Sequence, residues 1–401
     1  MIKFSFEKKD QLGVYGSVTA LVLSSEYNFP LKFKAHDIIN NDILWESDLY
    51  GEGCWCSYSK PCNVKVYDND DILIESWNWS GKVGLIVKGC FGDLLYTTPI
   101  VKYLSTIYRF KICLETDFPS VFINNPYVDT IFDSTKGELL DDTYLKYNCS
   151  SHNFGEIQKQ IRKMYLTDYW STQLGFTLTP EEKTMEFYPN NIDVEIPDGK
   201  YVVINPSKTW DCRTWDIQNW QSLTNILTSS GLKVVIVGKD ILYGDELKGS
   251  LSIDGNNENI INLVNKLDLS QLWHIVNSSS AVVTMNAGLL PFAGTTDAHI
   301  IQLGGAIHPH YRTPYRYGTQ NYKHTFIGGK CSLFCQSDIK YNIYENLPIT
   351  RWNGFPSPHC YEHKSTYECH ASVNDVINEV LRTTLSDSKY LNKLDKISNY
   401  I

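Results

Sequence analysis

The chain has 401 residues, too many for one ordinary hydrophobic core, and a globular composition of 42% hydrophobic and 20% charged residues. Its net charge of −9 and the lack of a basic run argue against nucleic acid as the main partner. No apolar run approaches the ~20 residues that cross a bilayer. Met1 to Leu12 lacks the apolar core of a secretion signal, so a cytoplasmic protein without membrane insertion is expected. Thiols stay reduced there, and the eleven Cys read as metal ligands or core residues rather than disulfides.

Residues 1–80 alternate short apolar runs (Val18 to Leu23, Val64 to Tyr67, Ile72 to Ile74) with polar turns, which predicts a small β-rich domain. From 81 the pattern changes to strands alternating with helices, the mark of parallel sheets. Residues 81–195 read as a first Rossmann-like domain: strand 85–87, helix 94–107, strands 111–114 and 130–132, helix 158–174. Residues 196–330 read as a second: strand 201–204, helix 217–229, strands 233–237 and 259–263, helix 269–278, strands 281–284 and 299–303. Residues 331–372 break the pattern, holding four Cys among Pro and Gly. Residues 373–401 begin with an amphipathic helix at 373–385. The fold class is α/β with two facing Rossmann-like domains.

Three turns carry candidate chemistry, each directly after a strand, where ligands bind in α/β proteins. In Gly89-Cys90-Phe91-Gly92-Asp93, Gly92 lets a ligand approach the backbone and Asp93 is the only acid, placed at a helix start. Asp93 suits an N-cap or, facing a cleft, a general base. In Asn205-Pro206-Ser207-Lys208-Thr209 and the following Arg213-Thr214-Trp215, two cations and the Ser207 and Thr209 hydroxyls suit a diphosphate, with a solvated loop and a core Trp215 as the other reading. In Asn286-Ala287-Gly288-Leu289-Leu290-Pro291, backbone amides at a helix start suit phosphate, or form an ordinary turn. Cys331, Cys335, Cys360 and Cys369 suit a tetrahedral thiolate site for zinc or a single iron, with His359, His363 and His370 as alternative ligands. Cys54, Cys56 and Cys62 cluster without a fourth ligand and read as structural.

The joint order of these segments resembles glycosyltransferase family 9, the ADP-heptose heptosyltransferases. That family has a strand then Gly-x-x-Gly-Asp and a Thr-Pro helix, matched here by Gly89 to Asp93 and Thr98-Pro99. Its second domain opens with a strand, a Pro-Gly/Ser turn and Lys-x-Trp, matched by Asn205-Pro206-Ser207 and Arg213-Thr214-Trp215 with Arg for Lys. Its later Asp-Ser/Thr-Gly turn and His are departed from: Asn286 replaces the Asp, and Pro291 stands near the His position. The likeness covers about residues 81–310.

The β-rich start and the Cys segment look like the bacterial autotransporter heptosyltransferases. This resemblance implies a GT-B arrangement, an ADP-heptose donor and transfer to serines of an adhesin passenger domain with inversion. Asp93 would be the base. Gly92, Asn205, Ser207, Lys208, Arg213, Trp215, Asn286, Ala287, Gly288 and Leu289 would contact substrate, and Leu267 would face adenine. It also implies one structural iron on the four Cys, with zinc as the alternative, and a large ring such as a dodecamer. The rival readings are a same-fold transferase using another nucleotide sugar or a lipopolysaccharide acceptor, and a non-catalytic adhesin-binding module. An oxidoreductase is disfavoured, because no Gly-x-Gly-x-x-Gly follows a strand with an acid ~20 residues later.

Overall fold

A computed structural model describes residues 2–8, 16–22, 31–37, 41–49, 53–58, 62–79, 82–107, 109–140, 145–149, 164–174, 176–208, 213–243, 246–250, 252–253, 257–334 and 368–385. The chain forms two compact units that are discontinuous in sequence. One holds Met1–Gly89, Thr97–His152 and Thr167–Leu178; the other holds Cys90–Tyr96, Asn153–Leu166 and Thr179–Ile401.

The first unit begins with seven antiparallel strands. β1 (Ile2–Lys8), β2 (Gly16–Val22) and β5 (Gly53–Tyr58) form one sheet. β3 (Leu31–Asp37), β4 (Ile43–Leu49), β6 (Cys62–Tyr67) and β7 (Leu73–Trp79) form another, in the order β4-β3-β6-β7. Successive side chains of a strand point to opposite faces. Leu31, Phe33 and Ala35 of β3 and Val64 and Val66 of β6 are therefore fully buried. On the other face, Lys32 pairs with Asp71 at 2.7 Å and Lys34 with Glu46 at 2.9 Å.

A parallel sheet follows in the same unit. β8 (Lys82–Val87), β9 (Lys111–Thr116), β10 (Val128–Asp133) and β11 (Leu145–Asn148) lie in the order β10-β9-β8-β11. β8 and β9 read as near-continuous apolar runs because such strands are covered on both faces. Gly89, with φ +152°, turns the chain out of β8, and its N–H donates to Asp117 Oδ1 at 3.4 Å. The single helix expected over 94–107 is two: α1 (Phe91–Leu95) and α2 (Thr98–Thr106). Pro99 sits in the first turn of α2, where its missing N–H costs nothing; within a continuous helix its ring would clash with the carbonyl of Leu95. α3 (Leu166–Gln173) is the described part of the helix expected over 158–174.

The second unit is built on six parallel strands: β12 (Tyr201–Asn205), β14 (Lys233–Ile236), β17 (Ile260–Asn262), β18 (Ala281–Thr284), β19 (His299–Leu303) and β20 (His324–Ile327). Their order is β17-β14-β12-β18-β19-β20, the doubly wound arrangement that reverses between its first and fourth strands. α4 (Ile217–Ser229) starts at the Asp216 cap, whose side chain accepts the Gln218 N–H; α5 (Leu269–Asn277) starts at a capping box of Asp268 and Gln271. α6 (Leu289–Ala293) follows β18, and α7 (Val373–Thr384) buries Val376, Ile377, Val380 and Leu381 in the core with Trp215, Trp220 and Leu223. Three short antiparallel strands were not anticipated: β13 (Ser207–Lys208), β15 (Ile241–Tyr243) and β16 (Glu246–Ser250), in the order β13-β16-β15. No described helix is long and apolar enough to cross a membrane.

Candidate active site

The turns after β12 and β18 flank the point where strand order reverses in the second unit, which is where doubly wound sheets bind ligands. The short helix α1 packs against the second of these turns. A Cβ built on Gly92 would lie 2.8 Å from the Gly288 Cα and 3.2 Å from Pro291 Cγ, so only glycine fits. A Cβ on Gly288 would meet the Phe91 ring at 2.6 Å. Phe91 in turn packs on Phe292 of α6 at 5.7 Å between ring centroids, and Phe187 covers Phe292 at 5.2 Å.

Asp93 is the third residue of α1. The N-cap is Cys90, whose side chain makes no capping bond, and the Asp93 N–H donates to Cys90 O at 2.7 Å. The Asp93 carboxylate is half-buried and makes no hydrogen bond or ion pair among the described residues, so it does not serve as the cap. One turn on, the buried Tyr96 donates its hydroxyl to the Arg312 carbonyl at 2.6 Å. Burial pushes the Tyr96 phenol well above its ordinary range; the charge of Arg312 pulls it down, that of Asp93 raises it and that of Arg213 lowers it. Asp93, Arg213 and Arg312 therefore all lie within electrostatic reach of one hydroxyl.

The residues expected to contact substrate divide into three groups. Arg213 is half-buried and its Nη2 donates to the Asn286 carbonyl, which ties the turn after β12 to the turn after β18. Ser207 Oγ is buried with no hydrogen-bond partner among the described residues, a state that costs on the order of 1–3 kcal/mol unless a ligand or water fills it. The N–H of Ala287 is used internally, donating to Met285 O at 2.8 Å, so the amides of Gly288 and Leu289 are the donors this turn can offer.

Two expected contacts are structural instead. Asn205 is buried and spends its Nδ2 on Val237 O at 2.9 Å, strapping β12 to the end of β14. Trp215 is completely buried, edge-on to Trp220 at 4.9 Å, with its Nε1 donating to Ala371 O at 2.9 Å. A side chain with no exposed surface in the core touches no substrate, so Trp215 leaves the contact set. Leu267 is half-buried and precedes the Asp268 cap of α5. Lys208 lies in β13, opposite Gly249, and its side chain is outside the described residues.

The link between Tyr96 and Arg312 was not anticipated from sequence. The signal available was the strand–Gly pattern itself: β19 ends at Leu303 and is followed by Gly304-Gly305 and a polar loop that carries Arg312.

Of the four Cys expected to hold metal, Cys335 and Cys360 lie outside the described residues, as do His359 and His363. Cys331 and Cys369 are half-buried cysteines on neighbouring segments. The Cys331 N–H donates to Glu368 O and the Gly329 N–H to Cys369 O, both at 3.0 Å. Gly329 permits this pairing, since a Cβ there would stand 2.1 Å from Glu368 O. Two cysteines on hydrogen-bonded neighbouring segments fit half of a thiolate set. No group of three metal-binding side chains occurs among the described residues. The backbones of Cys54 and Cys56 lie in β5 and that of Cys62 in β6.

The family model of glycosyltransferase family 9 (heptosyltransferase) matches residues 162–329. No curated protein sequence matches the chain significantly. Among solved structures, the fold is similar to the bacterial iron-containing dodecameric glycosyltransferase TibC from enterotoxigenic E. coli H10407, with 16% identity, a TM-score of 0.56, and coverage of 95% of this chain and 96% of that one. The heptosyltransferase TibC in complex with ADP-D-β-D-heptose aligns over the same shares at 16% identity, with a TM-score of 0.57. A family 9 glycosyl transferase from Veillonella parvula DSM 2008 aligns at 13% identity and a TM-score of 0.50, over 78% of this chain and 99% of that one. The doubly wound sheet, the two turns at its switch point and these matches indicate a glycosyltransferase, with residues 162–329 similar to the family 9 (heptosyltransferase) model.

Proposed function

We propose that the protein transfers heptose from ADP-heptose to serine hydroxyls of an autotransporter adhesin passenger domain, with inversion at the anomeric carbon. One observation carries the reading: Gly92 touches Gly288, which sets the Asp93 carboxylate, without a hydrogen-bond partner among the described residues, beside a turn braced by Arg213. Asp93 takes the proton from the acceptor hydroxyl as the sugar's anomeric carbon is attacked from the face opposite the diphosphate. Arg213, Ser207 and the Gly288 and Leu289 amides stabilise the negative charge that builds on the departing ADP. The Leu267 backbone borders the adenine.

The acceptor assignment is supported by the reach of the fold likeness, which extends over 95% of the chain and well outside residues 162–329. The same likeness supports a ring-shaped homo-oligomer of dodecamer size and one metal per chain, iron in preference to zinc. Cys331 and Cys369, with Cys335 and Cys360, would hold that metal, and it would serve to fix the segment following β20. Thiolate ligands suit a reducing cytoplasm.

Co-expression of this protein with an adhesin passenger domain, in a host that makes ADP-heptose, tests the reading by intact mass. Mass increments of whole heptose units, mapped to serines, are expected. A passenger of unchanged mass, with transfer instead to a lipopolysaccharide core, would replace the protein acceptor.

A further inference from the structure

We propose that Tyr96 is a positioning residue for the general base, holding α1 and with it the Asp93 carboxylate on the second unit; the inference rests on the reading of Asp93 given above. α1 has five residues, far below the roughly 12–15 that make an isolated helix stable, and no side-chain cap at its N-terminus. Its place therefore comes from tertiary packing. The chain up to Gly89 and again from Thr97 belongs to the first unit, whereas Cys90–Tyr96 belongs to the second. Asp93 makes no hydrogen bond or ion pair of its own among the described residues, so wherever α1 is held, the carboxylate is held.

The start of α1 is held by Gly92 against Gly288 and by Phe91 on Phe292. Tyr96, the C-cap, holds the other end. It is buried, and its hydroxyl donates to the Arg312 main-chain carbonyl at 2.6 Å. Its ring is edge-on to Tyr165 at 5.3 Å; Tyr165 is edge-on to Tyr315 at 5.0 Å, and its hydroxyl accepts the Tyr315 N–H at 3.3 Å. Hydroxyl and ring thus reach the same loop, at Arg312 directly and at Tyr315 through Tyr165. That loop is braced in turn. Thr313 Oγ1 donates to Gln302 Oε1 of β19 at 2.8 Å, and Gln320 Nε2 donates to the carbonyls of His310 at 2.8 Å and Thr313 at 2.7 Å. Asp93 stands one turn before Tyr96, and after burial its charge is one of the influences that raise the Tyr96 phenol, so the carboxylate is within electrostatic reach of the anchored hydroxyl. A reacting group misplaced by about 1 Å can cost ~10²-fold in rate. Loosening this end of α1 therefore acts on proton removal and leaves donor binding alone.

The test is steady-state transfer from ADP-heptose to an adhesin passenger by the full-length protein. Wild type, Tyr96→Phe, Asp93→Asn and the double variant are compared, with ADP titration and thermal melting on each preparation. Tyr96→Phe keeps the ring packing and loses only the hydroxyl bond. It is expected to lower kcat by about tenfold, the upper scale of one hydrogen bond, with KM for ADP-heptose, ADP affinity and melting temperature close to wild type. In the Asp93→Asn background the same change should cost nothing more, because there is no base left to position. Tyr165→Phe, which releases the Tyr315 N–H, is the second variant and should show a smaller kcat loss that also vanishes in that background. Wild-type kcat in Tyr96→Phe beside a slow Asp93→Asn would overturn the positioning role and leave the base reading intact. Losses that multiply in the double variant, or that fall on KM and ADP affinity, would overturn it too, since they mark a merely structural tyrosine. Near-wild-type turnover in Asp93→Asn would remove the base reading and the positioning role together.

Discussion

Gly92 and Gly288 meet backbone to backbone, with room for neither to carry a side chain in its present position: a Cβ on Gly92 would lie 2.8 Å from the Gly288 Cα. The contact fixes α1, and Asp93 with it, against the turn after β18. Gly92→Ala has backbone and the rigid Pro291 ring to push aside, whereas Gly288→Ala meets the edge of the Phe91 ring, which can rotate. Gly92→Ala is therefore expected to be the more damaging of the two. Overpacking of this kind costs on the order of 1–3 kcal/mol. Melting temperature and turnover measured side by side check the order, and an undisturbed Gly92→Ala enzyme would contradict the contact.

Arg213→Ala should weaken ADP binding in titration by roughly one to two orders of magnitude, the scale of a lost charge-assisted hydrogen bond. It also removes the brace on the Asn286 carbonyl. By contrast Trp215→Phe, at a fully buried position bonded to Ala371 O, should lower the melting temperature and leave ADP affinity in the folded protein near normal.

The parallel sheets were legible because buried parallel strands are unbroken apolar runs: Tyr201 to Asn205 and Ala281 to Thr284 are buried throughout. The helix at 217–229 was legible to the residue, because Asp216 caps it and its apolar positions repeat with helical spacing. The hairpin of β15 and β16 was not legible, since strands of three and five residues carry too little pattern. Asp93, Ser207 and Arg213 could be picked out by their place after a strand. For Trp215, two residues from Arg213, sequence left substrate contact and core both open, and the fold puts the side chain in the core. The bond from Tyr96 to the Arg312 carbonyl was invisible for a related reason: the loop has no periodicity, and only the tertiary fold brings the two together.

Acid should unfold the second unit early. Burial, aided by the charges of Arg316 and His299, holds the His324 imidazole down at about 4, against an ordinary 6.5. The unfolded chain takes that proton near 6.5 and the folded one only near 4. The stability contributed by neutral His324 is thus complete above the unfolded value and is lost progressively as pH falls through that window. Glu379, held low by Arg382, and Asp297, held low by Lys323, lose stability in the same direction at more acid pH. The melting temperature should fall as pH drops from about 7 to about 4.5. His324→Gln, which can still meet Gln302, should flatten the upper part of that slope. A flat profile in wild type would contradict the burial of a neutral imidazole.

Cys331→Ser and Cys369→Ser should each lower the metal content of the purified protein and its melting temperature, while leaving residual ADP binding in the folded fraction. A chelator should shift wild type in the same direction and leave the double variant unmoved. Metal analysis giving equal iron or zinc in wild type and both variants would contradict a site that uses these thiols.

The most direct measurement is turnover of ADP-heptose by Asp93→Asn, with ADP affinity measured on the same preparation. Asparagine keeps the shape of the side chain but cannot accept the acceptor's proton. The account predicts a kcat lower by about 10²- to 10⁴-fold, the range of general base catalysis, with ADP affinity and melting temperature close to wild type. Near-normal turnover in Asp93→Asn would contradict it.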